Sequence, residues 1–508
     1  MDKKFYVTTP IYYVNDKPHI GHAYTTILAD VLTRFHKMSN SERKEDRSFF
    51  LTGLDEHGQK VQQAAESRGM DPQAHCDDLS PRFINLWEKL EIQYDDFIRT
   101  TQPRHKNVVQ SILQKVYDKG DIYMAEYEGW YSVSEERFIT ETEKDSGDFR
   151  DVKKLKERNW FFKMGQYQER LIQHIDGHPG FLQPDSRKNE ILGFLKQPLS
   201  DLCISRPKTR MDWGIELPFD KDYVTYVWFD ALINYISGVA YLTDDAKFNK
   251  WWPASVHLIG KDILTTHAVY WSTMLFSLEL PLPETIFAHG WWLMGESKMS
   301  KSLGNVVSPL DLVDEYGVDC VRYYLMREMV LGQDARFTME SFIKRYNSDL
   351  ANDFGNLLNR VSGLIGKYFN KTIPAVDKNT EAEDRIKSTA EKLNDIVPGL
   401  IEKYRLHEAI EEILQVVRGV NKYMEQQAPW KVAKEDLARA GTILYTAGEV
   451  LRVCAVHLAP VMPKKCEQMN RILTGDGLLD SDWGGLKPGF QLESHDALFP
   501  RLEMPKAQ

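Results

Sequence analysis

The chain has 508 residues, 42% hydrophobic and 27% charged, with a formal net charge of −10; that length holds several domain-sized cores, and that balance excludes a largely disordered chain. No run approaches the roughly 20 uncharged apolar residues of a spanning helix, since 258–282 is broken by Lys261 and Asp262, and the opening MDKKFYVTT leaves no room for a secretory or transit segment, so a soluble, cytoplasmic protein with no membrane partner is expected. Five cysteines, Cys76, Cys203, Cys320, Cys454 and Cys466, form no C-x-x-C pair, which speaks against a disulfide framework or a zinc knuckle, and the acidic balance leaves any nucleic-acid contact to a local basic track.

Residues 4–9 alternate and are rich in β-formers, predicting a first strand. A turn with Pro10, Asn15, Asp16 and Pro18 leads into an apolar-periodic helix over about 21–36, and 48–53 reads as a second strand followed by another helix. Strand and helix in alternation predict a parallel α/β sheet. Between 119 and 221 the pattern loosens: Trp130, Tyr131, Phe138, Trp160, Phe161 and Phe162 alternate with dense charge, which reads as an inserted domain. The α/β pattern resumes at Tyr223, with strands predicted at 255–260 and 285–289. Beyond about 341 the amphipathic stretches 349–368, 381–404, 407–426 and 437–458 predict a helix bundle.

The segment Pro18-His19-Ile20-Gly21-His22 falls at the junction of the first strand and its helix. A helix start there offers free N–H groups and roughly half a positive charge to a phosphate. Gly21 admits a close backbone approach, and His19 and His22 can donate to the phosphate oxygens of ATP. Taken alone, such a string is commonly incidental. Lys298-Met299-Ser300-Lys301-Ser302 lies between Gly295 and Gly304 and reads as a mobile loop. Its lysine pair can close over a triphosphate and neutralise charge as pyrophosphate leaves. Standing alone, it reads better as a solvated lysine-rich turn.

Together, about 280 residues apart in a split sheet, the two motifs resemble the class I aminoacyl-tRNA synthetases. Within that class the chain is similar over essentially its whole length to the methionyl-tRNA synthetase family. The blocks Thr9-Pro10-Ile11-Tyr12-Tyr13-Val14-Asn15, Leu54-Asp55-Glu56-His57-Gly58, Tyr226-Val227-Trp228-Phe229-Asp230-Ala231-Leu232, Ile259-Gly260-Lys261-Asp262 and His289-Gly290-Trp291 follow that family's order. The resemblance implies a Rossmann-type α/β parallel-sheet catalytic domain, split by an inserted connective domain and followed by a C-terminal α-helical bundle. Its boundaries would be 1–118 and 223–292 for the two catalytic halves, 119–222 for the insertion, 293–345 for the lysine-loop and stem-contact region, and 346–508 for the anticodon-binding helices. The implied reaction activates L-methionine with ATP and Mg2+ to methionyl-adenylate plus pyrophosphate, then moves methionine to the 3′ end of tRNA(Met). Positioning and electrostatics carry it, with no covalent enzyme nucleophile.

The resemblance assigns ATP to His19, Gly21, His22, Gly260, Asp262, Lys298 and Lys301, with His19, His22, Lys298 and Lys301 as catalytic groups and Asp262 facing the ribose. Trp228, Ala231, Leu232 and Tyr235 recur at i, i+3, i+4 and i+7, and Ile263, His267 and Trp271 four apart, so each set shares a helix face. Either stripe alone is more readily ordinary core. With Ile11 and Tyr13 they would wall a narrow aromatic slot suited to a thioether. Asp55 would pair with the substrate ammonium, its other reading being a helix N-cap. Asn356 and Arg360, four apart on one helix, and Trp430 after Pro429 would bind the anticodon, an amide, a guanidinium and an indole being what unpaired bases need. The alternative is a surface pair beside a buried tryptophan.

The sequence also departs from the family. Where many relatives carry cysteine zinc ligands, Gly129-Trp130-Tyr131-Ser132-Val133-Ser134-Glu135-Glu136 has none, so no structural zinc and no metal site are expected. A tryptophan found before Ile204-Ser205-Arg206 in some relatives is Leu202 or Cys203 here, which leaves that pocket wall open. Lacking an added C-terminal module, the chain is expected to be a monomer. Two rivals remain: another class I synthetase, for which the insertion is too short to edit and zinc ligands for cysteine are missing, and a silent tRNA-binding paralogue, against which intact His19, His22, Lys298 and Lys301 speak.

Overall fold

Strand β1 (Phe5–Thr8) and the segment Ser48–Asp55 are buried along their whole length, as strands are when helices cover both faces of a parallel sheet. The computed structural model describes residues 4–14, 18–38, 47–132, 137–139, 144–145, 152–294, 297–298, 308–330, 332–477 and 480–504. Two compact units divide the chain, Met1–Gly290 and Trp291–Gln508.

In the first unit, β1 is followed by β2 (Tyr12–Tyr13), helix Ile20–Met38, β3 (Ser48–Asp55), helices Gln59–Ser67 and Pro72–Lys89, β4 (Asp96–Arg99) and helix Pro103–Asp118. Three antiparallel strands follow, β5 (Ile122–Ser132), β6 (Arg137–Ile139) and β7 (Val152–Phe162), then β8 (Leu182–Gln183) and the short strands β9 (Leu202–Cys203), β10 (Ser205–Pro207), β11 (Glu216–Leu217) and β12 (Asp220–Thr225). The unit closes with β13 (Val256–Gly260) and β14 (Ile286–His289). The main sheet runs β3-β1-β13-β14-β8, all parallel, with β4 and β2 also paired to β3. Pairing passes from Thr8 opposite Leu51 to Tyr12 opposite Leu54, so Thr9, Pro10 and Ile11 face only Thr52 and Gly53. Pro10 has no N–H to offer the ladder, and the bulge divides the strand beside β3 into β1 and β2.

One element inside the stretch 119–222 belongs to the main sheet. β8 pairs in parallel with β14, Leu182 opposite Ile286. Its flanking helices Gln168–Gly177 and Asp185–Phe194 bury Leu171, Ile175 and Ile191 in the unit's core. A two-residue strand carries no period, so nothing in the sequence distinguished it from the excursion around it. The excursion proper is the β5–β7 ribbon, edged by β6 and β9 and crossed by Lys154–Glu128 and Lys156–Glu126 ion pairs at 2.8 and 2.7 Å.

The helical stretches expected around 228–235 and 263–271 are built from short and non-α segments. Trp228 to Tyr235 spans two short helices, Val227–Ala231 and Asn234–Ser237, joined through Leu232 and Ile233 at helical angles, so the shared face survives. After β13 a 3₁₀ turn, Lys261–Ile263, leads to a π-helix over Thr266–Trp271. Such π segments cluster at functional sites.

The second unit has a three-stranded sheet, β15 (Trp292–Met294), β16 (Ser297–Lys298) and β17 (Ala335–Phe337), and then helices. The stretch 349–368 is a π segment, Tyr346–Gly355, continuing as helix Asn356–Phe369. The stretch 381–404 divides into Glu381–Glu391 and Leu393–Ile401, the second carrying Pro398. Leu406–Gln427 and Leu437–Leu458 are the long members, and Pro463–Thr474 follows. Among the described residues, no helix is long and apolar enough to cross a membrane.

Candidate functional site

The chain leaves β1 for β3 on one side and reaches β13 only later on the other, so strand order reverses between β1 and β13. In open α/β sheets ligands bind outside the carboxyl ends of the strands at such a point. Asp55 ends β3, Gly260 ends β13 and His289 ends β14, while Ile11, Tyr13 and the His19–His22 turn follow β1.

At that turn the two imidazoles stack, with centroids 3.9 Å apart. The His19 backbone N–H donates to His22 Nδ1 and the Gly21 N–H to His19 Nδ1, both at 3.1 Å. A backbone N–H can only donate, so each Nδ1 is an acceptor and each Nε2 carries the hydrogen. Two N–H groups are thereby presented at the start of helix Ile20–Met38, whose first turn holds no acidic residue. A Cβ at Gly21 would lie 2.9 Å from His19 Cε1, so any larger residue there would displace the His19 imidazole. One turn on, the Thr25 hydroxyl is 2.7 Å from His289 Nε2, and His289 Nδ1 donates to the Gly290 carbonyl at 2.7 Å. Thr25 therefore donates to a neutral His289, whose pKa burial lowers. Asp262 is exposed, and its Oδ1 lies 2.6 Å from where a Cβ on Gly260 would stand.

Beside this edge runs a chain of rings. Tyr13 meets Trp228 edge-on at 6.4 Å, Trp228 meets His267 at 6.5 Å, His267 meets Tyr235 at 5.7 Å, and Tyr235 meets Trp271 at 5.9 Å. Ala231 and Leu232 are buried, while Ile11 and Ile263 are half-buried against the core. His267 Nδ1 is 2.9 Å from the Ile263 carbonyl and must donate to it, so Nε2 accepts from the Tyr235 hydroxyl at 2.7 Å. Burial pushes the His267 pKa down to about 4, which keeps that polarity fixed at neutral pH.

Asp55 is 2% exposed. It is not a helix cap: the following helix begins at Gln59 with Gly58 as its N-cap. Leu202 and Cys203 form β9 against β7, and Arg206 donates to the Cys203 sulfur at 3.5 Å. Lys298 ends β16 opposite Leu293; Lys301 and the remainder of its loop lie outside the described residues, as do Asn15, Asp16, Glu135 and Glu136. In the second unit the Arg360 guanidinium sits 5.6 Å from the Trp430 ring centre, both half-buried, with Asn356 exposed one turn before Arg360. The Tyr368 hydroxyl donates to the Trp430 carbonyl at 3.2 Å.

Several groups with no role in the sequence reading pack behind these. Asp230 bridges His57 Nδ1 at 2.6 Å and His105 Nε2 at 2.7 Å, and His105 Nδ1 meets Ser237 at 2.8 Å. Burial alone would raise the Asp230 pKa, but the field of His57 and hydrogen bonds from His105 and His57 bring it to about 2. His257, on β13, touches Tyr235 and Trp271. Asp230, His57 and His289 stand inside sequence blocks that carry the resemblance, which was the available signal; His105 and His257 had none. Among the described residues no group of three or more His, Cys, Asp and Glu side chains is placed to hold a metal ion.

Residues 5–148 and 146–362 match a family model described as tRNA synthetases class I (M), and 373–503 match one described as the anticodon binding domain of methionyl tRNA ligase. A methionine–tRNA ligase of Clostridium acetobutylicum is 46% identical over 521 residues, covering 99% of this chain and 79% of that protein. One from Thermotoga maritima is 43% identical over 513 residues, covering 98% and 80%. A solved Mycobacterium tuberculosis methionyl-tRNA synthetase in complex with methionyl-adenylate superposes with a TM-score of 0.93 at 38% identity, covering 98% of this chain and 100% of that one.

Proposed function

Since the chain belongs to the methionyl-tRNA synthetases of class I, we propose that it is a methionine–tRNA ligase, joining L-methionine to AMP at the expense of ATP and then to the 3′ end of tRNA(Met). The observation that carries this reading is the occurrence, at the carboxyl ends of one sheet's strands, of the His19–His22 helix start and the series of ring contacts from Tyr13 to Trp271.

In this reading the methionine side chain lies among Ile11, Tyr13, Trp228, Ala231, Leu232, Tyr235, Ile263, His267 and Trp271. The buried Asp55 carboxylate pairs with its ammonium, which orients the substrate carboxylate for in-line attack on the α-phosphorus of ATP. His19 and His22 donate through Nε2 to phosphate oxygens at the helix start, beside Gly21, where the dipole favours negative charge. Gly260 lets the nucleotide approach the sheet edge and Asp262 accepts from its ribose. Lys298 and Lys301 neutralise the departing pyrophosphate. Magnesium would travel on the phosphates themselves, as it does where substrate oxygens supply most of its ligands. The adenylate is then opened by a ribose hydroxyl of the tRNA, whose anticodon Asn356, Arg360 and Trp430 read by hydrogen bonding and stacking. We place the enzyme in the cytoplasm as a monomer.

Exchange of labelled pyrophosphate into ATP, screened over all twenty amino acids, tests this. Exchange with methionine alone is expected. Exchange with a different amino acid reassigns the substrate, and none at all, with tRNA still bound, leaves a binding protein.

A further inference from the structure

We propose that His257 is a positioning residue for methionine, fixing two walls of the substrate slot from behind without touching the substrate; this rests on the reading of the ring chain given above. His257 is fully buried on β13 and stands opposite Thr8 in the parallel pairing of β13 with β1, at the point where strand order reverses. The Trp271 indole N–H donates to His257 Nε2 at 3.2 Å. An indole nitrogen can only donate, so the imidazole hydrogen resides on Nδ1 and is given to the Thr8 hydroxyl oxygen at 2.7 Å. Burial and the field of His267 hold its pKa well below the ordinary value, so this neutral form persists.

The same ring stacks on Tyr235, centroids 4.2 Å apart and planes 28° apart. Tyr235 is held at its backbone as well, its carbonyl accepting from the Tyr6 hydroxyl at 2.7 Å. Tyr6 and Thr8, two apart on β1, thus share a face and anchor the assembly to the central strand. One imidazole thereby sets the tilt of Tyr235, whose hydroxyl is committed to His267, and the rotation of Trp271. Both nitrogens are used within the protein, and the stacked face is covered by Tyr235, so the ring acts through its neighbours.

The two attachments can be separated. His257→Phe keeps a flat ring against Tyr235 but leaves the Trp271 N–H and the Thr8 hydroxyl without their partner; His257→Gln restores an acceptor near Nε2 and gives up the stack. In methionine-dependent pyrophosphate exchange, His257→Phe is expected to raise the KM for methionine about tenfold, the size of effect left by an unmet buried donor, with the KM for ATP unchanged. His257→Gln is expected to recover part of that loss. Loss of kcat or melting temperature with both KM values unmoved, or both rising together, would mean that His257 only supports the fold and overturns the proposal. Should the phenylalanine variant not fold, the glutamine variant decides alone: a several-fold rise in the methionine KM alone is expected, and any other pattern overturns it. A wild-type protein with no methionine-dependent exchange would instead sink the underlying reading of the slot, which the same assay establishes first.

Discussion

Asp230 illustrates how single residues hold this site. Its two oxygens take hydrogen bonds from His57 and His105, 173 and 125 positions away along the chain. It therefore ties the turn after Asp55, the helix Pro103–Asp118 and the helix that carries Trp228. Asp230→Asn preserves the shape but replaces one acceptor by an amide N–H facing an imidazole N–H, and removes the charge. Hydrogen bonds to a charged group contribute about 1.5 to 3 kcal/mol each, so the unfolding free energy from urea titration at neutral pH is expected to fall by about that much; a value within about 0.5 kcal/mol of wild type, the usual range of a surface change, would show that the bridge contributes little. The contrast with His19 and His22 explains what could be read in advance. Those two are neighbours in sequence and their partners are the adjacent backbone, so the motif is local. Asp230 and His257 acquire meaning only when strands and helices far apart in sequence meet, and no spacing rule reaches that far.

At the scale of elements, the strands Phe5–Thr8, Ser48–Asp55, Val256–Gly260 and Ile286–His289 were legible because each is a short segment rich in β-formers and bounded by turn residues. The two-residue β8 and the π segments Thr266–Trp271 and Tyr346–Gly355 were not. The first is too short to have a period, and the others share the apolar spacing of an α-helix while differing in which carbonyl each N–H reaches. Helix Glu381–Glu391 shows an element fixed by one side chain. Glu383 closes a capping box with Thr380, accepts two hydrogen bonds from Arg439 at 2.9 and 2.7 Å, and accepts from the Tyr423 hydroxyl. Burial would raise its pKa, yet Arg439, Tyr423 and Thr380 together lower it to about 2. A carboxyl whose folded pKa lies below its unfolded value stabilises fully above the unfolded value of about 4.3 and progressively less as pH falls toward 2. Glu383→Gln is expected to lower the melting temperature at pH 7 and to converge on wild type near pH 2. An equal gap at both pH values would place the effect in packing instead of charge.

For the whole molecule, composition was the least informative guide: a net charge of −10 gives no hint of an RNA partner, which the family blocks and the match of 373–503 to an anticodon binding domain do. The chain divides into two units, Met1–Gly290 and Trp291–Gln508, and the matched residues 373–503 belong to the second. Trp430 offers the cleanest division. Its short helix, Pro429–Val432, starts from Ala428 in the left-handed region at φ 41°, and the Tyr368 hydroxyl holds its carbonyl, so the backbone is fixed independently of the indole. The indole, half-buried under Arg360, can stack a base, a contact worth about 1 to 3 kcal/mol, or it can serve merely as an internal cation–π partner. Trp430→Ala distinguishes the two. If the ring reads the anticodon, tRNA charging efficiency falls about 5-fold to 150-fold by that energy, through the KM for tRNA, while methionine-dependent pyrophosphate exchange without tRNA stays at the wild-type level. If exchange and charging fall together, or if charging is untouched while the melting temperature drops, the indole supports the bundle and the anticodon is read elsewhere.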